Sequence, residues 1–293
     1  MSVNPPVLVG IDGSPPSRLA LDWAVRAARA RNAPLRVISV FHWPITAYTM
    51  EPSAVLPDAP NIQDEARQVF GEIITEITEE HPGLRISGEF MEGKPAEVLI
   101  AASEHACLTV LGQRGLGQFS GMVLGSVSAQ VSAYAASPVV IVPDAPLSET
   151  GGPVVVGVDE SEPARAAIGF AFEEASWLNT GLIAVHAWRA PGSDIPHDRV
   201  ALYYDLYEIE SEQERLLSEA LAGWRGKYSD VTVQQVVSHG SPVSVLLANA
   251  SDAQLLVVGS RGRGGFRGLL MGSTSRALLH RATCPVAVVR HAA

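Results

Sequence analysis

The sequence predicts an α/β fold that is built twice, as two tandem, doubly wound, parallel five-stranded sheets with helices on both faces. Short aliphatic runs alternate with longer amphipathic stretches, as is typical of βαβ units. Several runs contain only Val, Ile and Leu around a single Gly or Thr, as expected for strands covered on both faces. The same order of elements then occurs a second time along the chain.

The repeat is in register over its whole length. Asp12 recurs as Asp159, Gly112 as Gly259 and Pro138 as Pro285, each 147 positions later. A period this long indicates a repeated domain rather than a solenoid unit of about 20 to 50 residues. We therefore predict domains at residues 1–145 and 154–293, joined by a linker at 146–153 that is rich in turn-forming residues.

In the first half, the aliphatic runs predict five strands, and the amphipathic stretches between them predict four helices. The strands are expected at residues 7–11, 35–41, 84–89, 108–112 and 139–142, and the helices at 15–31, 62–80, 95–105 and 126–135. Ser14 is a good N-cap for the first helix, and Pro15 suits its first turn.

The second half repeats this order. Its strands are expected at residues 154–158, 182–187, 231–237, 255–259 and 286–289, and its helices at 163–178, 201–227, 242–249 and 273–281. A proline-containing segment follows the second strand of each half, at 43–60 and 190–199. Loops of this length are either functional lids or surface excursions, and the sequence leaves both readings open.

Composition narrows the class of protein. The chain has 293 residues, 47% of them hydrophobic and 6% aromatic, and a net charge of −10, which argues against a general nucleic-acid coat. We find no apolar run long enough to cross a membrane and no signal segment. Two cysteines, Cys107 and Cys284, are too few for a disulfide framework. The sequence therefore predicts a soluble cytoplasmic protein that binds neither membrane nor nucleic acid.

A glycine loop after the fourth strand of each half is the main functional motif. Gly112, Gly115 and Gly125 are followed by Ser126, which begins a predicted helix. The first amides of a helix are unpaired and favour an anion such as a phosphate. Asp12 ends the first strand, and ligands of open parallel sheets bind at the carboxyl ends of strands where the strand order reverses.

The pattern G-x2-G-x9-G-S/T, together with V-G-I/V-D in the first strand, resembles the universal stress protein family in its tandem, ATP-binding form. The resemblance covers nearly the whole chain and implies strand order 3-2-1-4-5. It also implies that Asp12 and Asp159 contact the nucleoside, that Val40 and Ala187 lie at the adenine, and that Mg²⁺ accompanies ATP through its phosphates rather than through protein ligands.

Motif and resemblance together predict ATP-binding residues in both halves and no catalytic residues. They are Asp12, Val40, Gly112, Arg114, Gly115, Gly125, Ser126, Val127 and Ser128, and Asp159, Ala187, Gly259, Arg261, Gly262, Gly272, Ser273, Thr274 and Ser275. The second loop also carries Arg263 and Arg267, which either pair with phosphates or a partner's acidic surface or are simply solvated. We predict that the second site holds the polyphosphate at least as well as the first.

Other motifs are missing from the sequence. It has no P-loop, no dinucleotide G-x-G-x-x-G and no nucleophile elbow, and His105, Cys107 and His186 have no metal-ligand partners at useful spacing. Binding is therefore favoured over turnover. We expect a stress-response protein that senses or buffers adenine nucleotide. The alternatives are a slow ATPase or nucleotide hydrolase using the same pocket, and a scaffold with incidental occupancy.

Assembly is predicted from the resemblance alone. Domains of the family pair through their fifth strands, here residues 139–142 and 286–289. This implies an intrachain pseudo-dimer and a further homodimer, with an unidentified protein partner as an additional possibility.

Overall fold

The computed structural model describes residues 4–42, 59–115, 124–145, 151–189, 206–262 and 270–290. Contacts divide the chain into two compact units, Met1–Asp144 and Ala145–Ala293. Most of the two proline-containing segments, and the loop arginines Arg263 and Arg267, lie outside the described residues. The linker predicted at 146–153 stays a prediction.

In its described residues, the first unit is one parallel sheet with four helices. Its elements are β1 Val7–Ile11, α1 Pro15–Ala30, β2 Leu35–Phe41, α2 Ala59–Glu80, β3 Ile86–Glu92, α3 Pro95–Ser103, β4 Leu108–Gly112, α4 Ser126–Tyr134 and β5 Val139–Val142. The strand order is β3-β2-β1-β4-β5, and each pairing is parallel.

The second unit repeats this arrangement. Its elements are β6 Val154–Gly157, α5 Glu162–Trp177, β7 Leu182–Trp188, α6 Leu206–Lys227, β8 Val233–His239, α7 Pro242–Asn249, β9 Leu255–Gly259, α8 Ser273–Arg281 and β10 Val286–Val289. The order β8-β7-β6-β9-β10 is again parallel throughout. The predicted fold class is confirmed.

Helices cover both faces of the first sheet. Gly10 in β1 faces Leu99 of α3, whereas Gly88 in β3 faces Phe70 and Ile74 of α2. Strands β1, β4 and β5 are buried along their whole length. This burial explains why the sequence of each of these three strands is an almost unbroken aliphatic run.

The edge strands lie two or more residues later than predicted. We expected strands at 84–89 and 231–237, but pairing with β2 and β7 places them at Ile86–Glu92 and Val233–His239. Both edge strands are largely half-exposed or exposed, so their hydrophobic pattern is weak and the neighbouring strand determines their extent. The α2 helix begins at Ala59, so Pro60 belongs to its first turn and not to the preceding loop.

Both cysteines are free thiols, as expected. Cys107 is partly exposed and Cys284 is buried. Burial raises the pKa of the Cys284 thiol to about 11. None of the described helices is both long enough and apolar enough to cross a lipid bilayer.

An ion pair ties the edge strand β3 to β2. Arg36 donates from Nε to Oε1 of Glu89 at 2.7 Å and from Nη2 to Oε2 at 2.8 Å. These hydrogen bonds lower the pKa of the Glu89 carboxyl. The corresponding positions of the second unit hold Ile183 and Val236, so the two units fix this edge by different means.

We expect Glu89→Gln to destabilise the first unit at pH 7 by about 0.5 kcal/mol, because water screens a pair whose carboxylate is 39% exposed. A carboxyl whose pKa is lowered by folding stabilises the fold above its unfolded pKa, and this contribution disappears as the pH falls through the folded value. Urea unfolding should therefore give wild type a larger free energy of unfolding than the variant at pH 7, and this difference should decrease below about pH 5. An undiminished difference at about pH 3 would contradict the role given to the ion pair.

Candidate functional site

The two predicted anchors of each unit meet at one edge of the sheet. Strands β1 and β4 are parallel neighbours, so Asp12 after β1 and Gly112 at the end of β4 lie at the same edge. Strands β6 and β9 bring Asp159 and Gly259 together in the same way. In both units the strand order reverses here, which is where open parallel sheets bind ligands.

The aspartate at this edge is held by its surroundings. Oδ1 of Asp12 accepts hydrogen bonds from the backbone N–H of Ser14 at 3.0 Å and from its hydroxyl at 2.6 Å. Oδ2 occupies the position that a Cβ atom on Gly115 would take. Asp159 makes the same bonds to Ser161, and a Cβ on Gly262 would lie 2.6 Å from its Oδ2. The second glycine of the loop motif, Gly115 or Gly262, is therefore required because a carboxylate occupies the space of a side chain.

The glycine that ends β4 has a packing role. An added Cβ on Gly112 would lie 2.7 Å from the carbonyl oxygen of Pro16, in the first turn of α1. In the second unit, a Cβ on Gly259 would lie 2.8 Å from the carbonyl carbon of Pro163 and 2.9 Å from the amide nitrogen of Ala164. These neighbours are backbone atoms and cannot rotate away. Glycine at these two positions lets the first turn of a helix pack against the end of a strand.

The helix that follows each loop presents backbone amides. Gly125 is the N-cap of α4 and has an extended conformation, and the first helical hydrogen bond runs from Ala129 to its carbonyl. The amides of Ser126, Val127 and Ser128 therefore precede the helical hydrogen-bond ladder. The α8 helix begins in the same way, with Gly272 as N-cap and the amides of Ser273, Thr274 and Ser275 in its first turn.

The hydroxyl groups of this turn divide into two kinds. Ser128 donates to the carbonyl of Gly112 and Ser275 to that of Gly259, both at 2.7 Å. Since a hydroxyl has one proton, both side chains donate within the fold, and the role of these two serines in ATP binding stays a prediction. The donors that these two serines offer a ligand are therefore their backbone N–H groups. Ser126 and Ser273 are exposed.

A cavity of about 890 Å³ opens at this edge of the second unit. All nine residues predicted for this unit line its wall: Asp159, Ala187, Gly259, Arg261, Gly262, Gly272, Ser273, Thr274 and Ser275. The rest of the lining is mostly apolar, with a few polar side chains, among them His186 and Gln213. In the first unit, Val40 lies on β2 beside β3, at the position equivalent to Ala187.

The loop arginines of the two units have different electrostatic environments. Nη2 of Arg114 lies 3.8 Å from Oδ2 of Asp144, a long and partly exposed ion pair. Arg261 instead has Arg290 nearby, after β10, and both burial and the charge of Arg261 lower the pKa of Arg290. Nη1 of Arg290 is buried and has no hydrogen-bond partner among the described parts of the chain. The second unit thus carries a cationic pair, in which Arg261 is exposed and Arg290 is partly buried.

Sequence reasoning did not identify several residues at this site. His186, Trp188 and Gln213 line the cavity, and Arg290 lies near Arg261, one of the predicted residues of its wall. His186 and Trp188 flank Ala187 in the sequence, so their place beside the predicted adenine position could have identified them as site residues. No comparable signal marks Gln213, because the relevant face of a long polar helix is not evident from sequence. Within the described residues, no group of three or more His, Cys, Asp or Glu is arranged to hold a metal ion.

Comparison with known proteins gives consistent results. The sequence model of the Universal stress protein family matches residues 4–143 and 152–290. A universal stress protein of Mycobacterium tuberculosis is 38% identical, over 97% of this chain and 94% of its own. Another, from Mycolicibacterium smegmatis, is 37% identical over 97% of this chain and 96% of its own. The crystal structure of a universal stress protein from Archaeoglobus fulgidus superposes with a TM-score of 0.67 at 23% identity, covering 97% of this chain and 98% of its own.

The close approach at Gly112 gives a prediction about stability. We expect Gly112→Ala to destabilise the first unit by about 1–3 kcal/mol, because the new methyl group would overlap the backbone of Pro16. Gly71→Ala in α2 is the matched control, since nothing lies within 4 Å of its added Cβ. That variant should be as stable as wild type or up to about 1 kcal/mol more stable.

Urea unfolding followed by circular dichroism measures both variants. If Gly112→Ala unfolds at the same urea concentration as wild type, the strand and the helix move apart without loss of stability and the prediction is wrong. Loss of nucleotide binding in this variant would not by itself identify Gly112 as a ligand contact, so binding must be tested at other positions.

Proposed function

The chain belongs to the universal stress protein family, and we propose that each of its two units binds one adenine nucleotide, ATP with Mg²⁺. In this proposal the protein senses or buffers the nucleotide under stress and does not turn it over rapidly. Homodimer formation and a further protein partner stay predictions.

One observation carries the proposal. Nine residues chosen from the loop motif and from family resemblance, and separated by as many as 116 positions from Asp159 to Ser275, line a single cavity of about 890 Å³. Ligand cavities commonly have volumes of about 300–1,000 Å³ and are mainly apolar with a few directed polar groups. The mainly apolar wall that contains Ala187 suits a flat base, and the first-turn amides of α8, which line the same cavity, suit an anion.

The backbone supplies the proposed phosphate contacts. The first-turn amides of α8 need acceptors, and the positive end of the helix dipole favours negative charge. Its first turn contains no acidic residue that would oppose a phosphate. Asp159 stands beside this turn with Oδ1 already bonded to Ser161, so its position is fixed before a ribose or a Mg²⁺–phosphate group arrives. Mg²⁺ would then be held mainly by phosphate oxygens and water.

Protein purified without added nucleotide provides the direct test. Denaturation should release bound ATP into the supernatant, where anion-exchange chromatography identifies it. Release of ADP or AMP would favour the alternative of slow hydrolysis. If nothing is released and saturating Mg-ATP does not bind in a calorimetric titration, the protein is a scaffold and the proposal is wrong.

Two substitutions at Ser273 separate the role of the amide from that of the hydroxyl. Ser273 is the first residue of α8, where proline is tolerated, and Gly272 before it already has the extended conformation that proline requires. We expect Ser273→Pro to weaken ATP binding in the second unit at least about tenfold relative to Ser273→Ala, because only proline removes the N–H.

Isothermal titration of the full chain measures both affinities, and thermal unfolding shows whether the helix start is intact. Ser126→Pro and Ser126→Ala form the equivalent pair in the first unit. Equal affinities for the proline and alanine variants, with the fold preserved, would mean that the helix amides do not hold the phosphates.

The cationic pair predicts how the second unit responds to phosphate number. Arg290→Gln should weaken ATP binding about three- to tenfold while changing AMP binding little, because a charge near Arg261 acts on the distal phosphates. Arg281→Gln, an exposed arginine at the opposite end of α8, is the matched control and should change neither affinity. A uniform loss for ATP and AMP would place Arg290 away from the distal phosphates.

A further inference from the structure

A histidine of the second unit lies between a backbone carbonyl and a side-chain carboxamide. His186 in β7 is only 5% exposed. Its Nδ1 lies 2.8 Å from the carbonyl oxygen of Val158, and its Nε2 lies 3.0 Å from Oε1 of Gln213 on α6. His186, Val158 and Gln213 all line the cavity described above.

These two contacts determine the orientation of the Gln213 carboxamide. The carbonyl of Val158 can only accept, so Nδ1 carries the ring proton. In the neutral ring with its proton on Nδ1, Nε2 has a lone pair that requires a donor. An amide oxygen cannot donate, but a half-turn of the carboxamide exchanges its oxygen and nitrogen with almost no change in shape. The NH₂ group of Gln213 therefore faces His186.

The carboxamide oxygen is then directed away from His186. It is a hydrogen-bond acceptor with a fixed orientation, on a side chain that lines the cavity. Ile209, one helical turn earlier on α6, lines the same cavity and supplies an apolar surface beside it. Ala187, the predicted adenine position, directly follows His186 on the strand.

We propose that Gln213 reads the nucleobase in the second unit. An adenine attached to ribose has one hydrogen-bond donor group, the amino group at C6, and the carboxamide oxygen of Gln213 accepts from it. His186 is a positioning residue, which acts by holding the carboxamide in the accepting orientation. This inference rests on the proposed function and adds a specificity-determining pair to the same site.

The first unit cannot make this contact in the same way. The positions equivalent to His186 and Gln213, 147 residues earlier, hold Ser39 and Ala66. Alanine has no polar side-chain atom, so nothing at position 66 can accept from the base. Selectivity for the 6-amino group through this pair is therefore confined to the second unit.

The experiment compares ATP with purine riboside 5′-triphosphate, which is ATP without its 6-amino group. Each is titrated calorimetrically into the full chain at about pH 8. In wild type, the ratio of the affinity for ATP to the affinity for the purine riboside triphosphate should be about five to ten times larger at one site than at the other. This additional preference is the worth of one hydrogen bond to a buried acceptor.

Two variants test the pair. Gln213→Met keeps the length of the side chain without its polar atoms, and should remove the additional preference. His186→Phe leaves Gln213 in place but free to rotate, and should reduce the preference while binding continues. Thermal unfolding verifies each variant, and His186→Phe decides the matter if Gln213→Met does not fold.

The outcomes separate this inference from the proposed function. If Gln213→Met weakens both nucleotides by the same factor, Gln213 only supports the fold and the inference is wrong. If wild type binds both nucleotides equally well at both sites, the inference is wrong and the proposed function stands. If wild type binds neither, the proposed function fails and the inference fails with it.

Discussion

The site depends on one close approach, in which the last residue of a strand lies against the first turn of a helix. Gly112 touches the backbone at Pro16, and Gly259 touches it at Pro163 and Ala164. This approach brings the capped start of the helix beside the aspartate that follows the neighbouring strand. The carboxylate then fills the space left by the next glycine of the loop, and the chain enters α4 or α8 with its amides exposed. Glycine at each of these positions satisfies a packing requirement.

The sequence was most informative where residues are buried on both sides. Strands such as Val7–Ile11 and Leu108–Gly112 were predicted to the residue, because helices on both faces impose a continuous aliphatic run. It was least informative at the edge strand Ile86–Glu92, whose extent is set by pairing with β2. The candidate site shows the same division. The loop motif was recognisable, but the face that α6 presents to the cavity depends on packing that no local pattern encodes.

Two copies with the same skeleton have acquired different chemistry at equivalent positions. Arg114 has an acidic neighbour in Asp144, whereas Arg261 has a second arginine, Arg290. Ser39 and Ala66 stand where the second unit has His186 and Gln213. These differences lie around the conserved framework of glycines, aspartate and capping serine, and they change the charge and the hydrogen-bonding capacity of the wall. The repeat therefore gives two candidate sites one architecture with different charged and hydrogen-bonding groups around it.

The use of main-chain amides at the start of α4 and α8 has an evolutionary consequence. An N–H group is present whichever residue occupies the position, proline excepted. Val127 in one unit and Thr274 in the other illustrate this freedom, since the same helix start accommodates an aliphatic and a hydroxyl side chain. Substitutions in this turn can therefore change the side chains that other molecules contact, while the backbone N–H groups that favour an anion remain. A lineage of such proteins can diversify its surface without rebuilding its pocket.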